Sequence, residues 1–411
     1  MDLDYGSPFF RQTEIMRIGF DISQTGINKA GCGIVAFSLI NELTKIDREN
    51  SYLLYSNFGP DFWDPNHKKA TFKKKQDNVK KLFSELTHAQ ARSFWGSHST
   101  DFEIRLGNPD IVHSNNFYCP TGLAKAKLVY TLYDLSFLES PEFTTEENRL
   151  VCFEGVFKAS LYADIIISIS EYSKYHFLET FPHFPSERIR VLHPASRFSL
   201  KDGVNDNPGR ISELLPNGFW LCVGTLEPRK NIRRLLAAYS KLIHSSSSAF
   251  PLAIAGGKGW LEDGLIEYLA CLGLRENREV YFLGYVTDLQ LRWLYRHCFA
   301  FIYPSLFEGF GVPVLEAMSL GAAVITSNRT SLPEICGDAA IMVDPENVEG
   351  LAESMIQLYQ NENLRGDLQN RAIFRAEFFS WEKMARGVLE VYRNLLSPTR
   401  LTTFSGEHNE R

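Results

Sequence analysis

The chain has 411 residues, of which 44% are hydrophobic and 22% are charged, and its formal net charge is −6. This length predicts two domains, and the apolar fraction is enough for two hydrophobic cores, which excludes a mainly disordered protein. The 49 acidic residues outnumber the 43 basic ones, which argues against nucleic acid as the main partner.

Two features of the chain bear on its compartment. The 7 cysteines are widely spaced and form no C-x-x-C pair, so the pattern predicts neither a disulfide framework nor a zinc site and fits a reducing cytosol. The start of the chain, residues 1–4, is acidic, the wrong sign for a signal peptide, and no apolar run reaches the ~18 residues that span a bilayer. We therefore expect a soluble, cytoplasmic protein.

Short apolar runs alternate with stretches of helical periodicity along the first half of the chain. Together they form a predicted N-terminal domain over 1–195, and the polar, Gly- and Pro-containing segment 196–214 reads as a linker. The predicted helices are 34–45 and 143–161, and the predicted strands are 16–22, 52–56, 110–113, 127–133 and 164–169.

The glycine loop Gly31-Cys32-Gly33-Ile34-Val35-Ala36 matches the G-x-G-x-x-G/A fingerprint of dinucleotide binding. It makes an NAD(P)-dependent oxidoreductase one candidate function. The fingerprint should follow its strand in a tight turn, yet residues 23–30 separate strand 16–22 from Gly31. The next strand also lacks an acid at its end, since it runs into Tyr55-Ser56-Asn57, so the match alone is weak.

A lysine-rich segment, 68–81, carries seven lysines and has aromatic residues nearby in the sequence. One interpretation is a solvated helix face. The other is a patch that docks on anionic lipid, where each well-placed cation contributes about 1 kcal/mol. A nucleic-acid interface is the poorer reading because the chain as a whole is acidic.

The strand–helix alternation restarts after residue 215 and gives a predicted C-terminal domain over 215–375. A last helix at about 381–396, within the segment 376–411, has room to cross back onto the N-terminal domain before a polar tail. The predicted strands are 218–223, 251–255, 279–283, 299–303, 322–326 and 340–343, and the predicted helices are 232–243, 261–272, 287–297 and 347–360.

This alternation predicts an α/β protein with two Rossmann-like, doubly wound parallel-sheet domains. Such domains facing each other leave a cleft at the carboxyl ends of their strands, which is where ligands bind in this architecture. Segments that follow the predicted strands are therefore the candidates for chemistry.

Two adjacent cations, Arg229 and Lys230, follow strand 218–223 and precede helix 232–243. Arginine can fork two phosphate oxygens, and lysine adds a point charge. A solvated helix start is the plain alternative. Because cations near a helix N-terminus oppose the helix dipole, a bound anion would explain their presence.

The loop 304–311 follows strand 299–303, and a helix then opens with Pro313 near its first position. The amides of Phe310, Gly311 and Val312 precede that helix, whose N-terminus favours an anion. Glu308 lies in the loop and Glu316 one turn into the helix; their carboxylates suit sugar hydroxyls. Alone, Glu308 could be a surface residue and Glu316 a dipole-stabilising one.

Two further strand ends are weaker candidates. Tyr285 and Val286 could offer backbone groups to a nucleobase, and the glycine-rich stretch 256–259 could line the same cleft. Ordinary strand-end turns explain both equally well.

The pair Glu308 and Glu316 within FEGFGVPVLEAM, together with EPRKN at 227–231, resembles the signature of group 1 retaining glycosyltransferases. N-terminal segments agree: AGCGIVAF (30–37), DIVHS (110–114), ADIIISISEYSK (163–174) and VLHP (191–194). The resemblance covers roughly 16–395 and implies a GT-B architecture. Within the family the chain looks most like mannosyltransferases of surface-polysaccharide and lipopolysaccharide assembly.

The resemblance implies a role for each candidate residue. Glu308 would contact the transferred sugar and Glu316 the ribose diol, while Arg229 and Lys230 stabilise the leaving diphosphate. The glycine loop would approach that diphosphate through Gly33 instead of binding a dinucleotide. The implied donor is a nucleotide sugar, with GDP-mannose the best guess, and the implied acceptor is a saccharide or a lipid-linked saccharide. Docking of the lysine-rich segment on anionic lipid at the inner face of the membrane would suit a lipid-linked acceptor.

The sequence departs from the family where His-Asp is common, because it has Tyr133 and Asp134. Asp134 would bind acceptor or order its loop, or merely cap the following turn, and Tyr133 could supply a hydroxyl. His113 reads as a satisfied strand-end histidine rather than a catalyst. The departure also leaves a non-catalytic GT-B-like scaffold as an alternative function.

The implied chemistry is retaining, metal-independent hexosyl transfer. The single D-x-D motif, Asp2-Leu3-Asp4, lies at the terminus, so we predict no required Mg²⁺ or Mn²⁺ and no other cofactor. The leaving phosphate would take the acceptor proton, and Glu308 would orient the sugar and stabilise charge.

Overall fold

The computed structural model contains two parallel sheets. It describes residues 15–26, 29, 31–60, 70–84, 86–97, 99–202, 209, 211, 218–245, 250–259 and 264–397. The first sheet has the strand order β3-β2-β1-β4-β5-β6-β7, and its strands are β1 (Arg17–Asp21), β2 (Ser51–Tyr55), β3 (Val79–Leu82), β4 (Ile111–Ser114), β5 (Lys127–Leu132), β6 (Ile165–Ser168) and β7 (Ile189–Val191).

The second sheet has the order β10-β9-β8-β11-β12-β13. Its strands are β8 (Trp220–Val223), β9 (Leu252–Ala255), β10 (Val280–Gly284), β11 (Ala300–Tyr303), β12 (Val324–Ser327) and β13 (Ile341–Val343). Central strands such as β9 and β11 are buried along their whole length, because helices cover both faces of a parallel sheet. The predicted α/β architecture of two doubly wound parallel sheets is confirmed.

Helices cover both sheets. Several of them begin at side-chain caps, for example Thr145, whose hydroxyl accepts from the amide of Asn148. The helices are α1 (Gly31–Ile46), α2 (His88–Trp95), α3 (Phe102–Arg105), α4 (Ser136–Glu139), α5 (Glu146–Tyr162), α6 (Glu171–Thr180), α7 (Ile232–Ser245), α8 (Leu265–Cys271), α9 (Asp288–His297), α10 (Val312–Ser319), α11 (Leu332–Cys336), α12 (Val348–Gln360), α13 (Glu362–Ala376) and α14 (Trp381–Leu396).

The last helix, α14, packs against α1 of the N-terminal half and joins its hydrophobic core. Its Tyr392 hydroxyl is hydrogen-bonded to Nδ1 of His113, and Nε2 of His113 lies 2.8 Å from Oγ1 of Thr131. Burial lowers the pKa of His113 to about 3, so the imidazole is neutral, as expected for a satisfied strand-end histidine. Thr131 donates onward to Asn115, which makes Tyr392 the donor to His113.

The lysine-rich segment is not a helix face in its described part, which corrects that interpretation. Residues 70–76 form no helix, and Lys80 and Lys81 lie in β3, the edge strand of the first sheet. Lysines on an edge strand discourage pairing with another sheet, which gives them a structural role. Lys68 and Lys69 lie outside the described residues.

The sequence predicts no disulfide framework and no apolar run long enough to span a bilayer. The 7 cysteines all lie in described ranges and are free thiols. None of the helices in the described ranges combines the length and the apolar character that crossing a bilayer requires.

Replacing Tyr392 with Phe removes the hydroxyl that satisfies the buried Nδ1 of His113. We expect the free energy of unfolding to fall by about 1–3 kcal/mol, because a buried acceptor loses its partner. Urea denaturation followed by tryptophan fluorescence measures the change. The control is Tyr162→Phe, whose side chain is 53% exposed and should change stability by less than about 0.5 kcal/mol. Equal midpoints for both variants would contradict the role of the hydroxyl.

Candidate active site

A cleft of about 870 Å³ lies between the carboxyl ends of the two sheets. Its N-terminal wall includes the start of α1 and the loop after β5. Its C-terminal wall includes the segments that follow β8, β9, β10 and β11. The cleft is therefore where a two-domain, doubly wound architecture places its ligand site.

The segment after β8 turns sharply into the cleft. A 3₁₀ turn over Pro228–Lys230 ends at Asn231, whose backbone is left-handed with φ 62°. The Asn231 side chain donates to the carbonyls of Pro304 and Pro345, at 3.0 and 2.7 Å, which anchors the turn before α7 begins. This turn directs Arg229 and Lys230 toward the loop after β11.

Arg229, Lys230 and Glu308 form one buried ion cluster. Nζ of Lys230 donates to Oε1 of Glu308 at 2.7 Å, and Nη1 of Arg229 lies 3.1 Å from the same oxygen. Lys230 also donates to the Tyr303 hydroxyl at 2.6 Å, and Arg229 pairs with Glu227 at 2.6 Å. The sequence thus identified the three central groups, while Tyr303 and the pairing role of Glu227 were missed.

The cluster determines the charge of Glu308. Burial alone would raise the pKa of this carboxyl, but Lys230 and Arg229 reverse the effect and hold its pKa at about 2. Glu308 is therefore a fixed carboxylate near neutral pH and cannot donate a proton there. Because Glu227 and Glu308 already neutralise the two cations, an anion is not needed to explain why Arg229 and Lys230 occur together.

The loop after β11 delivers backbone amides to the same place. Gly311 precedes α10 with φ 101°, a left-handed conformation that favours glycine, and Val312 and Pro313 open the helix. Phe310, Gly311 and Val312 all line the cleft. The N-terminus of α10 thus faces the cleft beside the ion cluster, as the sequence predicted.

The two domains touch at the residue after Glu308. Oγ of Ser170 and Oγ of Ser173, at the start of α6, donate to the Gly309 carbonyl at 2.7 and 3.2 Å. A Cβ at Gly309 would lie 2.6 Å from the carbonyl oxygen of Tyr133, so a side chain would push the walls apart.

A second interdomain contact lies beside the first. The Glu334 carboxylate, on α11, accepts from the amides of Glu171 and Tyr172 at the start of α6. It also meets Nε2 of His193 at 2.6 Å. An acid at the N-terminus of a helix is electrostatically favourable, so this contact stabilises the observed arrangement of the domains.

The N-terminal wall contributes Tyr133 and Asp134. Oδ1 of Asp134 accepts from the amide of Ser136 at 2.9 Å, so the carboxylate does cap the following turn. Asp134 also lines the cleft next to Gly309, and binding of the acceptor saccharide by Asp134 stays a prediction. The Tyr133 hydroxyl is bonded to the carbonyls of Cys32 and Asn115, at 3.2 and 3.0 Å, so it is engaged with the main chain.

The remaining predicted residues lie in different places. Tyr285 and Val286 line the cleft after β10, and Tyr285 is 66% exposed. The stretch Gly256-Gly257-Lys258 also lines it. Gly33 does not: it packs against the carbonyl of Gln24, and Gly31, Cys32, Ile34 and Val35 face the cleft instead. Its contact with a diphosphate stays a prediction.

Glu316 is paired with a residue that the sequence did not indicate. Nε of Arg197 donates to Oε1 of Glu316 at 2.6 Å, and Nη2 of Arg197 donates to Oε2 at 3.2 Å. Arg197 lies in the predicted linker, which has no periodicity that would have signalled a site residue. Both residues line the cleft.

The part of the chain that the structure describes contains no cluster of side chains that could bind a metal ion. No three or more His, Cys, Asp and Glu side chains there are grouped so that they could hold an ion. Asp2 and Asp4 lie outside the described residues. Independence from metal stays a prediction.

Comparisons with known proteins agree with this geometry. The family model for glycosyl transferases group 1 matches residues 213–375, the part of the chain that carries Arg229, Lys230, Glu308 and Glu316. O-antigen chain mannosyltransferase B of Escherichia coli is 35% identical over 291 residues, which are 69% of this chain and 74% of that protein.

Two other proteins extend the comparison. The serotype-specific mannosyltransferase WbdA of Escherichia coli is 31% identical over 327 residues, 73% of this chain but only 39% of that longer protein. The crystal structure of Anabaena HepE in complex with UDP and glucose superposes with a TM-score of 0.68 at 18% identity, covering 92% of this chain and 99% of HepE. This last likeness supports the GT-B fold.

Replacing Glu308 with Gln leaves two buried cations short of a counter-charge. We expect a loss of about 3–5 kcal/mol in the free energy of unfolding at pH 7. The Glu308 pKa is depressed from 4.5 to about 2, so its stabilisation is complete above about pH 4.5 and is lost as the pH falls toward 2. The deficit of the variant should therefore shrink below about pH 4.5. Urea denaturation at pH 7, 5 and 3.5 tests this, and a deficit that stays constant across the series would contradict the assignment.

Proposed function

The chain belongs to the group 1 glycosyltransferases, and on that premise we propose that it transfers mannose from GDP-mannose to a saccharide or lipid-linked saccharide in surface-polysaccharide synthesis. The anomeric configuration is retained and no metal is required. The proposal of mannose rests on the 35% identity to O-antigen chain mannosyltransferase B. One observation carries the proposal of donor chemistry: the buried cluster of Arg229, Lys230 and Glu308 at the N-terminus of α10 in the cleft.

Breaking the anomeric C–O bond moves negative charge onto the leaving diphosphate. Arg229, Lys230 and the N-terminus of α10 place N–H groups on the cleft wall, and these groups stabilise the charge that develops there although Glu227 and Glu308 balance the two cations. The Lys230 ammonium uses two hydrogens in its bonds to Tyr303 and Glu308, so within the described chain a third remains for a phosphate oxygen.

The sugar that is transferred gains positive character as its bond to phosphate lengthens. The ionised Glu308 carboxylate accepts hydrogen bonds from sugar hydroxyls and stabilises that charge. Because its pKa is about 2, it does not take part as a proton donor. The acceptor proton passes to the departing phosphate oxygen, and closure of the domains limits donor hydrolysis by water.

The alternatives have weaker support. An NAD(P)-dependent oxidoreductase has only the glycine loop in its favour, and the family membership favours a transferase. A non-catalytic scaffold would have no reason to keep four charged groups buried together in an open cleft, which costs desolvation energy. Contact of the lysine-rich segment with an anionic membrane stays a prediction.

Donor identity is tested by a thermal-shift panel of GDP, GDP-mannose, UDP-glucose and NADH, each with and without EDTA. A ligand at 100 times its Kd stabilises the folded state by about 2.7 kcal/mol, so the unfolding temperature should rise with GDP and GDP-mannose in both buffers. A rise only with UDP-glucose would reject GDP-mannose but keep the transferase. A rise only with NADH would favour the oxidoreductase, and loss of the GDP shift in EDTA would reject metal independence.

Replacing Lys230 with Ala should lower kcat for transfer from GDP-mannose by about 10²–10³-fold, because the leaving group loses a preorganised cation. Release of GDP in the presence of acceptor measures the rate. The control is Lys241→Ala. The Lys241 side chain is 46% exposed and pairs with Glu349 on the surface, so its replacement should leave kcat unchanged. Near-normal turnover in a folded Lys230→Ala protein would reject the diphosphate role.

A further inference from the structure

Arg197 enters the cleft from the segment that joins the two domains. Its guanidinium forks the Glu316 carboxylate with bonds of 2.6 and 3.2 Å, and a third nitrogen contacts Asp288 at 2.8 Å. The side chain of Glu316 is 2% exposed and that of Arg197 is 18% exposed. A planar, bidentate pair of this kind fixes the orientation of the carboxylate as well as its charge.

The joining segment is held firmly where it carries Arg197. Oγ of Ser196 lies 2.7 Å from Oγ of Ser319 on α10, and Nε1 of Trp381 on α14 donates to the Ser196 carbonyl at 3.0 Å. Further along, Arg296 on α9 donates to the carbonyls of Ser199, Leu200 and Asp202. The position of Arg197 is thus set by contacts that do not involve Glu316.

Without a cation, Glu316 would be a poor acceptor. Burial raises the pKa of Glu316 above its ordinary value and Asp288 adds to the rise, while Arg197 and the Tyr295 hydroxyl oppose the rise without cancelling it. These are the charged and titratable groups that face Glu316 from the joining segment and α9. A protonated carboxyl has lost acceptor capacity, so a diol that donates two hydrogen bonds needs the ionised form.

The bonding pattern leaves room for a diol. A carboxylate has about four acceptor positions, and Arg197 and Tyr295 use three of them. The Tyr295 hydroxyl is the most distant donor, at 3.4 Å from Oε2, and is the contact that a ribose hydroxyl would replace. Arg197 can stay in place while both ribose hydroxyls bind.

We propose that Arg197 is a positioning residue that supplies the counter-charge of Glu316 and holds its carboxylate oriented to accept the 2′- and 3′-hydroxyls of the donor ribose. The inference rests on the proposed function, since it assumes a ribonucleotide donor bound at Glu316. It assigns a binding task to a segment that otherwise only connects the domains. Its effect is on donor affinity and on ribose recognition, whereas the chemical step at Glu308 is untouched.

The test measures the binding of GDP and 2′-deoxy-GDP, and of UDP and 2′-deoxy-UDP, by isothermal titration calorimetry. Wild-type protein should bind the ribonucleotide about tenfold more tightly than its deoxy analogue, the value of one hydrogen bond to a charged group. Arg197→Gln should bind the ribonucleotide about tenfold more weakly and lose most of this discrimination. Arg197→Lys retains the charge but not the fork, so it should recover only part of the ribonucleotide affinity and of the discrimination against the deoxy analogue.

Steady-state kinetics and pH add readouts that a general structural defect would not produce. Arg197→Gln should raise KM for GDP-mannose with little change in kcat, because binding common to ground and transition states is lost. Its KM should fall as the pH rises, since deprotonation of Glu316 restores the acceptor. The midpoint of that dependence should lie at higher pH than in wild type.

The matched control is Arg296→Gln, which weakens the anchoring of the same segment without touching Glu316. Equal loss of discrimination between ribonucleotide and deoxy analogue in Arg296→Gln and Arg197→Gln would overturn the inference. Unchanged discrimination in Arg197→Gln would also overturn it, and so would tighter GDP binding by that variant. The last outcome would mean that Arg197 blocks the site. If wild-type protein binds none of the nucleotides, the proposed function and this inference fail together.

Discussion

The cleft depends on one costly arrangement: Glu308 is buried and ionised because Lys230 and Arg229 lie within bonding distance of a single oxygen. Desolvating any one of these charges alone would be strongly unfavourable, so each is tolerated only with its partners in place. Their positions in turn require the turn after β8 and the loop after β11 to meet. Strands β8 and β11 are neighbours in the sheet, which brings these two loops together.

The same loop also joins the domains. The Gly309 carbonyl, next to Glu308, receives two serine hydroxyls from the start of α6, and Glu334 binds the amides at that helix start. Movement of one domain relative to the other must therefore act on the backbone beside the ion cluster. The close approach at Gly309 requires a residue without a side chain. Domain position and the geometry of the candidate catalytic carboxylate are mechanically connected.

Sequence periodicity predicted the strands that form the sheet interiors, since a strand buried on both faces needs a continuous apolar run. It missed β3 and β7, the two edge strands of the first sheet. β3 contains Lys80 and Lys81, so its sequence reads as a solvated surface rather than as a strand. Edge strands are exposed on one side and need fewer apolar residues, which is why composition alone misassigned the lysine-rich segment.

By itself, the sequence predicted the two α/β domains, the cleft, and Arg229, Lys230, Glu308 and Glu316 as candidates for its wall, where the structure does place them. These predictions follow from local rules, because each residue lies between a recognisable strand and the helix after it, or early in that helix. Only the tertiary structure decided which charges pair. Arg197 reaches Glu316 across 119 positions of sequence, and Tyr303 meets Lys230 across 73. Such contacts arise from the packing of separate elements, and no spacing along the chain encodes them.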